Sequence, residues 1–259
     1  MDLFTLKLII TPMLMLIVSL AVKKWGSFVG GILSGMPLTS GPIVIFLSLE
    51  QGPAFAARSA GAALSGLAAV LMTYLAYLFF SHRLAIWAAC LSSLAIFIFS
   101  SVLLMFSRSL PLAIVISMII ILTILCFTRN VQGELTQRVA PYWDIPLRML
   151  TATALLVAIT SSAHALGPQL SGLLSPFPVI AWPLTIFAHY HGGRQEMMGL
   201  VRGNAMSAVG VIIFYLIISG LIVSSGILLT FVLAFMASVG VTLLLTRVLR
   251  RQKTDNNVA

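Results

Sequence analysis

The chain has 259 residues, 60% of them hydrophobic and only 8% charged, and its mean hydropathy is +1.10. A soluble domain of this size carries about a quarter charged residues, so the composition points to helices spanning lipid, where hydrocarbon cannot satisfy an open backbone. The net charge of +9 does not mark a nucleic-acid partner, because the basic residues stand singly or in pairs between apolar runs instead of on one clustered face.

Nine apolar runs are long enough to cross roughly 30 Å of hydrocarbon. The first, 4–22, has no basic region before it and no A-x-A site after it, so it reads as a retained span and not a removed signal peptide. The second, 28–49, contains Pro37 and Pro42; the third, 57–80, begins at Arg58. The fourth and fifth, 84–106 and 110–127, hold Cys90 and Cys126, which are expected to behave as small buried hydrophobes without a disulfide or redox role. The longest polar stretch, 128–146, is the expected connecting loop. Beyond it come 147–166, then 171–190 with Pro178 and Pro183, then 199–223 and 226–246, and a basic tail at 247–259. The predicted organisation is a first membrane repeat over 1–127, a cytoplasmic loop over 128–146, a second membrane repeat over 147–246 and a cytoplasmic tail.

The cations test this count. With the tail in the cytoplasm, alternation places twelve Lys and Arg residues on that side, and only Lys7, Arg58 and Arg108 outside. That bias predicts nine spans with the N-terminus periplasmic and the C-terminus cytoplasmic in a bacterial inner membrane.

The segment Gly26–Phe46 recurs 141 residues later. Gly26, Gly31, Leu33, Ser34, Pro37, Pro42, Ile45 and Phe46 match Gly167, Gly172, Leu174, Ser175, Pro178, Pro183, Ile186 and Phe187. Five spans separate the partners, and five is odd, so the copies are expected to lie inverted in the bilayer, five helices plus four. Lys7 aligns with Arg148 and, after a three-residue insertion, Arg58 with Arg202 and Gly66 with Gly210. The predicted fold is therefore all-α and polytopic, with spans two and seven interrupted by proline.

Each proline lacks an N–H and clashes with the carbonyl four residues before it. Backbone groups freed at membrane depth need protein, water or a ligand, and matched broken helices point to a transport site. Ser34, Pro37, Thr39, Ser40 and Pro42 from one segment, with Ser175, Pro178 and Pro183 from the other, are the candidate substrate-binding residues. The half-helix N-termini beyond the prolines would offer partial positive charge to an anion. The plainer account is two kinked helices whose small residues permit close packing.

Arg58 and Arg202 are added as candidate anion contacts, since guanidinium clamps carboxylate or phosphate; an interfacial anchor is the alternative. Lys7 and Arg148 read as snorkelling cations. No acid lies centrally in a span, leaving no deep carboxylate for ion coupling. The densest polar cluster, His189–Glu196, contributes His189, His191 and Glu196 as candidate gating or proton-relay groups, with Glu50 from the end of span two. An interfacial loop and an N-terminal acid are the bland readings of the same residues. Neither a metal site nor a cofactor is expected, because no third ligand stands at metal spacing. No hydrolase or phosphate-loop signature occurs, so an enzyme is not expected.

Gly172-Leu173, Phe177-Pro178, Ala188-His189-Tyr190, Glu196 and Arg202 carry a resemblance to the GlpM-type small bacterial inner-membrane proteins over roughly 147–225. The first half shares only the Gly, Ser and Pro frame, with Ser48, Leu49 and Glu50 in place of His-Tyr-His. The resemblance implies a fused, inverted pair of a four-span unit and an association with envelope polysaccharide production, but no substrate. The expected function is a permease for a small anionic or amphiphilic solute, working by alternating access between the repeats. The alternative is a non-transporting membrane component of envelope synthesis. Expected partners are the bilayer and the solute, with a second copy or envelope-synthesis proteins as further candidates.

Overall fold

A computed structural model describes residues 3–38, 40–107, 109–129, 131, 143–155, 157–158, 174 and 176–255, without the side chains of 3, 4, 6, 7, 105, 107 and 249–255. Every regular element among them is an α-helix: α1 (Leu3–Trp25), α2 (Ser27–Gly35), α3 (Ser40–Gln51), α4 (Pro53–Phe80), α5 (Ile86–Ser107), α6 (Leu110–Phe127), α7 (144–155), α8 (Ala181–Ser225) and α9 (Ile227–Asp255). Among the described residues, seven helical stretches are long and apolar enough to cross a membrane. This is a helical, multi-pass membrane protein. Much of expected spans six and seven, with Gly167, Gly172 and Arg138, lies outside the described residues, as does Arg108.

The 45 residues of α8 would make a rod of about 67 Å, twice the hydrocarbon thickness. It is in fact two pieces: Gly193, at φ 78° and ψ −170°, separates an arm over 181–192 from a long helix, α8b, over 194–225. Gly52, at φ 88° and ψ 163°, makes the same junction between α3 and α4. An L side chain is strained in this region.

The elements keep a common spacing. Helices begin at residues 3, 40, 53 and 86, and again 141 residues on, at 144, 181, 194 and 227. The two proline breaks also share one backbone pattern. Leu38 N donates to Met36 O (2.7 Å) and Gly41 N to Pro37 O (2.9 Å); Val179 N donates to Phe177 O (2.8 Å) and Trp182 N to Pro178 O (2.7 Å). Proline at 37 and 178 cannot donate, so in each case a tight turn replaces the missing helical rung.

The core lies between α4 and α8b, around Tyr74, Tyr77, Phe214 and Tyr215, with α5 and α6 packed on it, and α2 lies against α8b. Ser27 meets Gly199, Gly31 meets Leu200 and Gly203, and Gly35 meets Asn204 and Ser207, so α2 runs parallel to α8b along two facing stripes of small residues. Such stripes let backbones touch where lipid provides no hydrophobic drive between helices. By contrast α4 is antiparallel to α8b: Arg194 Nη2 donates to Leu78 O (3.3 Å) at one end, and Gly61 faces Ser219 at the other. Outer helices α5, α6 and α9 turn side chains such as Leu91, Phe106, Leu122 and Leu228 outward, as a lipid-facing shell must.

Three sequence expectations change. Helix α7 begins at Asp144, inside the expected loop over 128–146, because Asp144 and Arg148 pair across its first turn. Cys126 is exposed while Cys90 is buried, since an apolar run need only face lipid, not protein. The constant spacing also removes the three-residue insertion: the residue 141 positions after Arg58 is Gly199, so Arg58 and Arg202 are not equivalent, nor are Gly66 and Gly210.

Candidate functional site

The two breaks meet at one cavity. Ser34, Gly35 and Met36 end α2, Ser40 begins α3, and Pro176 and Pro178 arrive from the second break. Leu67 and Val70 of α4 face Asn204, Ala208 and Val211 of α8b across it. The cavity measures about 30 Å³, room for one or two water molecules. Leu67 and Ala208, and Val70 and Val211, are pairs at the 141-residue spacing. The cavity therefore sits where α4 and α8b cross at positions 141 residues apart.

Its polar lining is uncharged. Ser34 Oγ donates to Gly31 O (3.2 Å), and Asn204 Nδ2 reaches Ser34 Oγ at 3.5 Å. Ser34, Ser40 and Asn204 are all buried, so each costs free energy unless its hydrogen-bonding capacity is used. Ser40 stands at the N-terminus of α3, whose first N–H groups have no helical acceptor. The chemistry available is hydroxyl and amide where α2 ends, α3 begins and Pro176 and Pro178 arrive, suited to holding a polar group without a counter-ion.

Of the sequence candidates, Ser34, Ser40 and Pro178 line this cavity. Pro37 lies within the first break, and Pro42 and Pro183 in the first turns of α3 and α8, where they set the turn geometry. Thr39 and Ser175 lie outside the described residues.

The arginines go elsewhere. Arg58 is exposed in the first turns of α4. Arg202 Nη1 donates to Leu125 O (3.1 Å) and lies 3.5 Å from Thr128 Oγ1, closing the C-terminal end of α6, where helix carbonyls lack partners. Glu50 is exposed in the last turn of α3, at the end of the bundle away from the His cluster. His189 Nδ1 and Tyr77 Oη share a hydrogen bond (2.9 Å). His191 and Glu196 flank the Gly193 junction, and His191 Nε2 lies 3.3 Å from Asp144 Oδ1.

Two residues escaped the sequence reading. Asn204 was visible as an amide inside an apolar run, a position that costs free energy unless used. Asp144 looked like a loop acid, and only the packing of α7 against the arm buries it. Among the described residues, no three His, Cys, Asp or Glu side chains come together as a metal site.

Comparison with protein-family models, with curated proteins and with solved structures finds no match to the chain.

Proposed function

We propose that this protein is a permease of the bacterial inner membrane that moves a small anionic or amphiphilic solute by alternating access between two inverted repeats. The observation that carries this reading is the cavity at which the two broken segments converge, lined by Ser34, Ser40, Pro178 and Asn204. Equal spacing of helix starts and identical turns at both breaks support the duplication. Antiparallel packing of α4 on α8b, helices at corresponding positions, supports the inversion. A pseudo-twofold axis through the cavity is the arrangement in which one repeat can rock against the other.

At about 30 Å³ the cavity is too small for a solute larger than a few atoms, so transport on this reading requires it to open. Solute recognition then falls to Ser34, Ser40, Asn204 and the helix starts at Ser40 and Ala181. Arg58 and Arg202, directed elsewhere, serve as an interfacial anchor and a helix closure. The topology that fits has the N-terminus periplasmic and the C-terminus cytoplasmic, with His189–Glu196 at the cytoplasmic mouth. The resemblance of 147–225 to GlpM-type proteins, on this reading, would make the chain a fused pair of single-repeat units.

The test is cysteine labelling in membranes, with Cys90 and Cys126 replaced by Ser. Ser34→Cys and Asn204→Cys should react with small aqueous thiol reagents, while Val44→Cys, fully buried and away from the cavity, should not. If no cavity position reacts from either side, there is no aqueous pathway and the permease reading fails.

A further inference from the structure

The side of α4 that lines the cavity continues past it as a pair of aromatic rings. Leu67 and Val70 border the cavity, and Tyr74 and Tyr77, both buried, follow at helical spacing. Residues three and four apart share one side of a helix. The two tyrosines therefore stand between the cavity and the end of the bundle that carries the His189–Glu196 turn. Trp182, at the start of the arm over 181–192, covers both, with ring centroids 5.7 Å from Tyr74 and 5.4 Å from Tyr77. Two turns further along the arm, His189 Nδ1 shares a hydrogen bond of 2.9 Å with Tyr77 Oη, the rings edge-on at 5.6 Å. Just past Gly193, Arg194 Nη2 donates to Leu78 O in the last turns of α4 at 3.3 Å. Arm and helix are thus joined from the cavity to the end of α4.

The rings alone would fill this route, but the hydrogen bond adds a preference for the closed arrangement. Tyr77 is fully buried, so lifting the arm takes the partner from a hydroxyl held away from water, which costs free energy. The first repeat cannot form the same bond. The residue 141 positions after Tyr77 is Ile218, whose side chain has no polar atom. The residue 141 positions before His189 is Ser48, whose hydroxyl donates to Val44 O of its own helix at 2.7 Å. Gly41 stands where the second repeat has Trp182. Two arms share one spacing, and only the second carries this bond and this ring.

We propose that Trp182, Tyr77 and His189 form a latched gate that closes the cavity toward the His189–Glu196 end of the bundle, and toward that end only. This rests on the permease reading. Trp182 is the plug, seated on Tyr74 and Tyr77; the Tyr77–His189 bond is the latch. Opening breaks that bond and swings the arm about the positive-φ backbone at Gly193, carrying Trp182 off the tyrosines. Packed elements move in this way between discrete arrangements rather than by continuous deformation. The strength of one hydrogen bond then sets how often this mouth opens, while the opposite mouth does not depend on it.

The test uses the full-length protein in membranes, with Cys90 and Cys126 replaced by Ser and Ser34→Cys labelled by a charged, impermeant thiol reagent applied to one face at a time. The face nearest the His189–Glu196 turn is identified by labelling of Gln195→Cys, an exposed position. From that face, Tyr77→Phe and His189→Phe should each raise the Ser34→Cys labelling rate roughly two- to tenfold, the weight of one hydrogen bond. From the opposite face neither should raise it. Both substitutions keep a ring beside Trp182 and remove the same bond, so together they should give no more than the larger single effect. A rise from both faces, or from the opposite face alone, overturns the proposal. So do rates that stay unchanged while labelling persists, and single effects that multiply; in each of these cases the permease reading stands. Absence of labelling in every variant removes both.

Discussion

Gly203→Ala adds one methyl group where α8b lies against the backbone of α2. The new Cβ would collide with the Phe28 carbonyl oxygen and lie 2.7 Å from Ile32 N and 2.9 Å from Gly31 C. All three are backbone atoms, so no side chain can rotate out of the way. Relief requires α2 and α8b to separate by close to an ångström along their length, loosening Ser27 on Gly199 and Gly35 on Ser207 as well. Overpacking of this kind costs about 1–3 kcal/mol, against roughly 1 kcal/mol gained from the better helix propensity of alanine. A net loss of up to about 2 kcal/mol lowers the melting temperature of a chain this size by up to roughly 8 °C, and leaves it about 1–3 kcal/mol below a glycine-to-alanine change that meets no clash. Gly220→Ala and Gly240→Ala, with nothing within 4 Å of the added carbon, gain the propensity without the clash and are the controls. Thermal unfolding of the purified protein in detergent, followed by tryptophan fluorescence, compares the three. A Gly203→Ala protein that melts with Gly220→Ala would show that α2 and α8b do not touch through their backbones, and the parallel packing would be wrong.

Gly52→Ala and Gly193→Ala meet open space but impose a φ near +80° on an L residue. Each should destabilise by about 1–3 kcal/mol, read in the same melting assay; unchanged melting would mean that these junctions are not held in the conformation seen. Reporter fusions should place residues after Arg83 and after Arg129 on one side of the membrane, and those after Ser109 and after Gly226 on the other. Arg83 and Ser109 on the same side would break the alternation.

Much of the architecture was legible in the residues. Prolines at 37 and 178 were expected to interrupt a span, because each removes a donor and collides with the previous turn. The recurrence of Gly, Ser and Pro at one spacing is likewise read from the residues, and the helix starts of the described residues keep that same spacing. The end of α2 reaches the cavity because α2 and α8b carry stripes of small residues, which sequence alone reads as close packing without naming the partner. The arginines show the limit. Arg58 and Arg202 look alike in sequence, yet one is exposed and the other bonds α6, because what a cation touches depends on which helix end arrives beside it.

By itself the sequence determined that the chain spans lipid as helices, since hydropathy is a local property of residues, while the junctions at Gly52 and Gly193 appear only in the backbone. Only the tertiary structure decided that Asn204 joins Ser34 at the cavity, that Asp144 is buried against His191, and that Arg202 is not beside the break. Those outcomes turn on contacts between residues dozens of positions apart, and the packing of whole helices sets them.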